Sequence, residues 1–191
     1  RKALVTFQIF LSLVLLIGTD VVYKQVKYLT SKDIGYSYQS VLVVKAPNTN
    51  DEKSVYSNKL KVLKDRLLTN PDIKGFTVTS DIPGKEIDNF FGCYKKGDDP
   101  SSGNGYYRTD IDPEYTGFFK AKLLAGRDFT ELDRQAGDKL IVNLKAMYRI
   151  GYNDPNEVIG KIVIADNKEY TIIGVMDDMN YFSVKSEPMP T

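Results

Sequence analysis

The chain has 191 residues, with 26 Lys and Arg against 25 Asp and Glu, which gives a formal net charge of +1 at pH 7. This balance provides no electrostatic reason to expect a nucleic-acid partner or a strongly acidic substrate. Histidine is absent, which excludes the usual general base, the Ser-His-Asp triad and the commonest zinc ligand. Cys93 is the single cysteine, so no disulfide forms within the chain.

The first feature along the chain is an apolar stretch, Ala3–Val22. It contains no charged residue between Ala3 and Thr19, and a helix rising about 1.5 Å per residue crosses most of a roughly 30 Å hydrocarbon core over that length. Its polar side chains before Asp20 are Thr6, Gln8, Ser12 and Thr19. We predict a transmembrane helix over residues 1–23, with membrane lipid around residues 3–22.

Two other interpretations of this stretch remain open. A cleaved signal peptide ends at small residues, and Gly18-Thr19-Asp20 is a weak version of such a site. A buried core helix of a soluble protein is the other, because the apolar run is short for a span. Basic residues flank both ends of the stretch, so charge does not fix its orientation.

The next segment, residues 24–37, is predicted to be a stalk helix and a linker. Tyr23–Ser31 continues the helical pattern of the span, and Gly35 is expected to end it. The stalk would therefore connect the span directly to the first lobe of the domain.

This first lobe is predicted over residues 38–87. Gln39–Lys45 is β-branched and bounded by turn residues, which is typical of a buried strand. From Ser54 to Leu68, one stripe of an amphipathic helix is predicted from Tyr56, Leu60, Leu63 and Leu67. Gly75–Ser80 alternates like a second strand. Strand, helix and strand within this length predict a βαβ unit with parallel strands.

A second, smaller α/β lobe is predicted over residues 88–187, where short strands alternate with turns. The expected elements are a hairpin of Phe90–Tyr94 with Tyr106–Asp110, a helix from the N-cap Asp112 through Phe119, a strand at Leu140–Asn143, a helical turn at Ala146–Ile150, and a hairpin of Ile162–Ala165 with Tyr170–Val175. Residues 188–191 are expected to be a truncated return to the first lobe. The fold class is therefore α+β.

Few residues indicate site chemistry. The pairs Asp110 with Asp112 and Asp177 with Asp178 could bind a hard cation, but such pairs are more typical of helix caps and strand-end turns. Cys93 lacks the histidine that would activate a nucleophilic thiol. The run Gly103–Arg108 begins like a dinucleotide-binding loop, yet Arg108 replaces the third glycine and the run opens a strand.

The remaining candidates point to a packed domain. The pairs Tyr106-Tyr107 and Phe118-Phe119 favour core positions over a ligand site, although an apolar groove is the open alternative. No P-loop sequence is present. We therefore assign no catalytic, cofactor-binding or metal residues and predict that the chain is not an enzyme.

The order of segments resembles the MacB-like periplasmic core domain of FtsX-type ABC transporter permeases. The matching pieces are RKALVTFQIFLSLVLLIGT followed by VYKQ, DIGY and VLVV, DIDPEYTGFFKAKLLAGRDF, LIVN, DPNEVIGK, YTIIGV and YFSVKSEPMP. Together they cover nearly the whole chain. The chain departs from the family at Leu144, where an acidic residue is usual, and at Asp20, where the span is usually apolar. It also stops near Thr191, so we expect it to be a fragment of a longer permease.

The resemblance implies a non-catalytic, two-lobed extracytoplasmic domain that transmits conformational change driven by a cytoplasmic ABC ATPase partner. It further implies a second permease copy or half, an inner (cytoplasmic) membrane location with residues 24–191 on the periplasmic or extracytoplasmic side, and an envelope or periplasmic partner. The role it implies is export or the handling of an envelope substrate. No cofactor and no nucleic acid are implied. The cargo is not specified.

The alternative function is a membrane-tethered extracytoplasmic sensor or ligand-binding module. Such a receptor would carry a cytoplasmic signalling element after a second span, whereas a permease would carry several more spans. A secreted hydrolase is a third class, and the absence of histidine disfavours it.

Overall fold

The computed structural model describes residues 1–31, 40–47, 53–83, 85, 87–179 and 189–191; the side chains of 29–31, 53 and 54 are not part of that description. The chain divides into two compact units, Arg1–Ile34 and Gly35–Thr191. The division of the second unit into lobes at 38–87 and 88–187 stays a prediction.

The first unit contains helix α1, Lys2–Ser31. The predicted helix and its continuation through Ser31 are confirmed, because no break separates the apolar portion from the more polar portion at its C-terminal end. The expected end at Gly35 lies outside the described residues.

The first helix described in the second unit is α2, Lys53–Leu67, as the spacing of its apolar residues predicts. Tyr56, Leu60 and Leu67 are half-buried, together with Lys64, and they form the inner face of the helix. Leu63, which the same stripe predicts to be inside, is 47% exposed. The inner face is therefore narrower than the sequence pattern indicates.

The two strands predicted on either side of α2 are not formed, so the prediction of a βαβ unit is wrong. Residues 41–47 have no regular structure, and Leu42 is 87% exposed. Thr79 instead forms an isolated antiparallel bridge with Ile111, and Asp112 N donates to the Val78 carbonyl. A strand requires hydrogen-bonding partners, and the segment around Thr79 finds them at 110–112 and not at 41–45. Gln39 lies outside the described residues.

The rest of the second unit is built on one mixed sheet. Its strands are β1 Phe90–Lys95, β2 Asn104–Tyr107, β3 Leu123–Gly126, β4 Lys139–Asn143, β5 Ile162–Ala165 and β6 Lys168–Met176. Their order is β2-β1-β5-β6-β3, and β4 also pairs with β6, in parallel. Both predicted hairpins, β1–β2 and β5–β6, form antiparallel pairs. The second arm of the first hairpin is Asn104–Tyr107, however, and not Tyr106–Asp110 as predicted.

Short helices connect these strands: α3 Tyr115–Phe119, α4 Glu131–Ala136, α5 Leu144–Ile150 and α6 Pro155–Val158, together with a 3₁₀ turn at Pro100–Ser102. The predicted start of α3 at Asp112 is wrong. The N-cap is Glu114, and the Asp112 carboxylate accepts hydrogen bonds from Thr77 and Val78 instead. A contact with a distant segment has displaced the local cap.

Two apolar clusters form the core of this unit. The larger one lies around β6, where Ile172 and Val175 are fully buried, and includes Val142, Met147, Val158 and Val163. The smaller one joins Tyr115 and Phe119 of α3 to Ile87 and Met179. The mixed α+β class predicted from the sequence is confirmed.

Candidate functional site

The first candidate functional element is the apolar part of α1. Residues Lys2–Tyr28, 27 in number, are long and apolar enough to cross a membrane, spanning about 40 Å as a helix. None of this segment is buried against other residues that the structure describes; Leu16 and Ile17, for example, are 67% and 64% exposed. This exposure fits contact with lipid and not a place in a protein core, although a signal sequence near an N-terminus would share the same length and composition.

The hydroxyl groups of this helix bond to its own backbone. Thr6 Oγ1 donates to the Lys2 carbonyl at 3.1 Å, Ser12 Oγ to Gln8 at 2.9 Å, and Thr19 Oγ1 to Leu15 at 2.8 Å. Because water is absent from a bilayer core, an unpaired hydroxyl there is costly. These bonds to the carbonyl four residues earlier let the three side chains face lipid.

Asp20, the acidic residue at the end of the apolar run, is paired. Its Oδ2 atom lies 2.8 Å from the Nζ atom of Lys24, one helical turn later. An exposed pair of this kind adds little stability, but it offsets the carboxylate charge where the helix leaves the apolar run. Tyr23 and Tyr28 are exposed on the same part of the helix, as is common for residues at a membrane–water interface.

The second candidate element is the junction that joins residues 77–80 to residues 110–112. Thr77 Oγ1 and Val78 N donate to the Asp112 carboxylate at 2.5 and 2.8 Å. Ser80 N donates to the Asp110 carbonyl, and Asp110 N donates back to the Ser80 hydroxyl, each at 2.9 Å. Burial raises the pKa of Asp112, and the hydrogen bonds from Thr77 and Val78 oppose that rise.

A further contact ties α2 to the start of α3. Lys64 of α2 forms an ion pair with Glu114, and the hydrogen bond from Lys64 lowers the pKa of Glu114. Gly75 lies against the ring of Phe118, where a Cβ would come within 3.0 Å of a ring carbon. Helix α2 and the segment after it are therefore fixed to the 110–118 region by polar contacts and close packing.

The third candidate element is the turn between β3 and α4, which contains the GRDF sequence. Thr116 donates to the Asp128 carboxylate, and Phe129 N donates to its other oxygen at 2.7 Å. Thr130 caps α4: its hydroxyl accepts from Asp133 N, while the Asp133 carboxylate accepts from Thr130 N at 2.9 Å. Burial raises the pKa of Asp128, whereas a hydrogen bond from Phe129 opposes the rise.

The acidic pairs singled out in the sequence act as structural acceptors. Asp110 forms an ion pair with Arg108, at 3.0 Å between Nη2 and Oδ1. Asp178 accepts from Lys145 N at 3.0 Å, near the start of α5, and its pKa is raised by burial. Across the described residues, no three His, Cys, Asp or Glu side chains come together in a way that could hold a metal ion.

Cys93 and the Gly103–Arg108 run also have structural positions. Cys93 is 5% exposed within β1, and burial raises its pKa to about 11, so little thiolate exists at neutral pH. The prediction that the Gly103–Arg108 run opens a strand is confirmed, because Asn104–Tyr107 forms β2 and pairs with β1.

The aromatic pairs divide between the core and its edge. Tyr106 and Phe119 are buried in the larger and the smaller cluster respectively. Phe118 packs edge-on against Phe119 at 5.0 Å between ring centroids, and Tyr107 packs on Phe90 at 5.1 Å. The core interpretation of Tyr106 and Phe119 is confirmed, while Tyr107 and Phe118 are half-buried at its border.

The sequence matches the family model of the MacB-like periplasmic core domain over residues 3–187. The chain belongs to this family. The match confirms the resemblance inferred from the order of segments, and it includes most of α1 as well as the sheet unit. No protein of curated function matches the chain at a significant level.

Solved structures to which this chain is similar include two transporter domains. The periplasmic region of MacB from Actinobacillus actinomycetemcomitans is 18% identical, with a TM-score of 0.44 over 66% of this chain and 58% of that one. The extracellular domain of the noncanonic ABC-type transporter YknZ from Gram-positive bacteria is 21% identical, with a TM-score of 0.36 over 64% and 63%. This MacB-like chain therefore spans less than two thirds of either structure.

Proposed function

We propose that this chain is a non-catalytic extracytoplasmic domain of an ABC transporter permease, which passes conformational change from a cytoplasmic ATPase across the membrane. Membership of the MacB-like family supports the transporter context. The observation that carries the mechanical part is the continuity of α1, which is one helix from Lys2 to Ser31. A helix of 30 residues is about 45 Å long, so it exceeds the hydrocarbon core and extends beyond it as a lever.

The polar junctions of the sheet unit suit the same role. A domain that transmits movement must hold its parts in fixed relative positions. An isolated β-bridge with one or two backbone hydrogen bonds does this poorly. Asp112 and the Lys64–Glu114 pair connect α2 and the 77–80 segment to the α3 region from separate directions. We propose that these contacts make the unit move as a block, outside the cytoplasmic membrane.

The sensor alternative receives less support from the described residues. A ligand site is usually a concave pocket that buries most of its ligand. In the described part of the chain, a shallow groove on α2 is lined by Val55, Asn58, Lys59 and Val62. It is open to solvent and would not bury most of a ligand.

The first test is whether the protein copurifies with an ABC ATPase. The second is whether ATP changes the conformation of the domain. An affinity tag on the full-length protein should recover an ABC ATPase from detergent-extracted native membranes. In the purified complex, adding ATP should change amide hydrogen exchange within residues 87–179. Recovery of the membrane-embedded protein without any ABC ATPase would contradict the proposed partner.

The coupling test uses a substitution in the polar part of α1. Val26→Pro removes a backbone donor and introduces a clash within the helix, at a cost of about 3 kcal/mol. Val26→Ala is the matched control, because it also removes the valine side chain but preserves the helix. The account predicts that Val26→Pro abolishes the ATP-dependent exchange difference while ATP hydrolysis continues. An unchanged difference in Val26→Pro would show that α1 does not transmit movement.

A further inference from the structure

Asn143, the last residue of β4, forms hydrogen bonds in two directions with the same side chain. It is 4% exposed, and its Oδ1 atom accepts from Ala146 N at 2.9 Å, which caps the start of α5. The same Oδ1 atom accepts from Thr191 N at 3.0 Å, and Nδ2 donates to the Met189 carbonyl at 2.6 Å. The backbone N of Asn143 also donates to the Thr191 carbonyl at 2.9 Å. One buried amide therefore holds both α5 and the segment 189–191.

The segment 189–191 also reaches the edge strand β2. Tyr107 N donates to the Pro190 carbonyl at 2.9 Å. Arg108 N donates to the Asn89 carbonyl, next to β1. Because backbone groups alternate in direction along an antiparallel strand, Tyr107 N points away from β1. Proline has no N–H to donate, so Pro190 covers this donor without offering a ladder that a further strand could extend.

The neighbouring outward group of β2 is covered by α5. Arg149 Nη1 donates to the Gly105 carbonyl at 2.8 Å. The backbone groups of Gly105, two residues before Tyr107, also point away from β1. Arg149 belongs to the helix whose start Asn143 caps. Two outward-facing groups of this sheet edge are thus covered by elements that Asn143 holds, directly at 189–191 and through α5 at Arg149.

We propose that residues 189–191 form a detachable strap, and that Asn143 is the latch that decides whether the strap is docked. Docked, the strap closes the outer edge of β2; released, it leaves the Tyr107 amide open to solvent or to another strand. The device is independent of the proposed transport function. It requires only that the strap leaves as a unit while the sheet behind it stays folded.

An isosteric substitution separates a latch from an ordinary buried side chain. Asn143→Asp keeps oxygen acceptors for Ala146 N and Thr191 N but places an oxygen against the Met189 carbonyl, where the wild type has a donor. A protonated carboxyl can donate to that carbonyl. Burial and this contact raise the pKa of the new acid, whereas the hydrogen bonds from Ala146 N and Thr191 N oppose that rise. The strap should therefore dock in the variant at low pH and detach as the pH rises through that pKa.

The measurement is residue-resolved amide hydrogen exchange on the full chain in detergent micelles. At neutral pH, Asn143→Asp should speed exchange of the Tyr107 and Thr191 amides together, by about tenfold or more, while Val163 and Ile172 keep their protection. Asn58→Asp, which adds the same charge on the exposed face of α2, is the control measured at each pH. Unchanged protection of Tyr107, or an equal loss at Val163 and Ile172, would overturn the proposal.

A second variant keeps the test decisive if Asn143→Asp does not fold. Thr191→Pro removes the hydrogen bond from Thr191 N to Asn143, but leaves the Asn143 side chain and its cap on α5 in place. It should expose the Tyr107 amide while the Ala146 amide stays protected. If Tyr107 stays protected in this variant, the hydrogen bond from Thr191 to Asn143 does not control docking of the strap, and the proposal is wrong.

Discussion

Arg127 and Asp133 form a two-pronged ion pair, with Nη1 2.6 Å from Oδ2 and Nη2 2.9 Å from Oδ1. The Asp133 carboxylate is buried, whereas the Arg127 side chain is half exposed. The same carboxylate closes the capping box of α4 with Thr130. One acidic side chain thus fixes both the turn after β3 and the beginning of the next helix.

This pair predicts a stability that depends on pH. The hydrogen bonds from Arg127, and then those from Thr130, hold the pKa of Asp133 well below its ordinary value. A group whose folded-state pKa is lowered stabilises the fold above its unfolded pKa of about 4 and loses that contribution as the pH falls further. Asp133→Ala should lower the free energy of unfolding by about 1–3 kcal/mol at pH 7, and by less at pH 3. Urea unfolding of the full chain in detergent at both pH values measures this, and an equal loss at both would contradict it.

The contribution of Asp112 to the free energy of unfolding should depend on pH in the opposite direction. Its folded-state pKa is raised, first by burial, so folding favours its protonated form and its contribution to stability improves as the pH falls through that pKa. Asp112→Ala should cost about 1–2 kcal/mol, because Val78 N and the Thr77 hydroxyl lose their acceptor. Asp112→Asn should cost less, since the amide oxygen still accepts from Val78 N and the Thr77 hydroxyl can turn to accept. Denaturant unfolding at pH 7 compares the two, and equal losses would show that the hydrogen bonds at Asp112 are not what matters.

The ion pair of Lys64 with Glu114 should contribute little by itself. Both side chains are partly exposed, and exposed pairs are worth about 0.2–1 kcal/mol after solvent screening and side-chain entropy are included. A double-mutant cycle with Lys64→Met and Glu114→Gln measures the coupling free energy, which should shrink in 1 M salt. A coupling free energy above about 2 kcal/mol would mean that this pair contributes more than Asp112 to holding α2 and the 77–80 segment against the 110–118 region.

Three glycines provide a graded test of the backbone. Gly126 has a φ of +76°, and an added Cβ would overlap the Ile173 carbonyl oxygen, so Gly126→Ala should cost about 3 kcal/mol or more. Gly160 has a φ of +80° with open space around it, so Gly160→Ala should cost only about 1 kcal/mol. Gly92→Ala, in β1 with open space and no positive φ, is the near-neutral control. Thermal unfolding of the three variants should rank them in that order, and a Gly126→Ala variant as stable as Gly92→Ala would contradict the β3–β6 packing.

The sequence predicted the elements whose signals are local. The β5–β6 hairpin was predicted from two β-branched runs, Ile162–Ala165 and Tyr170–Val175. Asp166 and Asn167, between them, both have the positive φ that a tight hairpin turn requires. The acceptor at Asn143 and the glycine at Gly151 bound helix α5 as the cap rules expect. Helix α4 was missed, although Thr130 and Asp133 carry its capping signal.

Elements that depend on distant partners could not be read in the same way. Asp112 followed by Pro113 is a good local start for a helix, but its carboxylate bonds to Thr77 and Val78, 35 and 34 residues earlier respectively. The apolar run around Leu42 has strand composition, but composition does not specify a pairing partner. The role of Asn143 likewise depends on Thr191, 48 residues away. Tertiary contacts decided each of these cases.

Labelling in intact cells tests whether α1 holds the MacB-like domain outside the cytoplasmic membrane. Cys93→Ser removes the buried thiol, and Ser102→Cys places a new one on the exposed turn between β1 and β2. The Cys93→Ser protein without the second change gives the background. With a maleimide that does not cross the cytoplasmic membrane, the account predicts that Ser102→Cys is labelled in intact cells as fully as after lysis. Labelling that occurs only after lysis would place the domain in the cytoplasm and contradict the account.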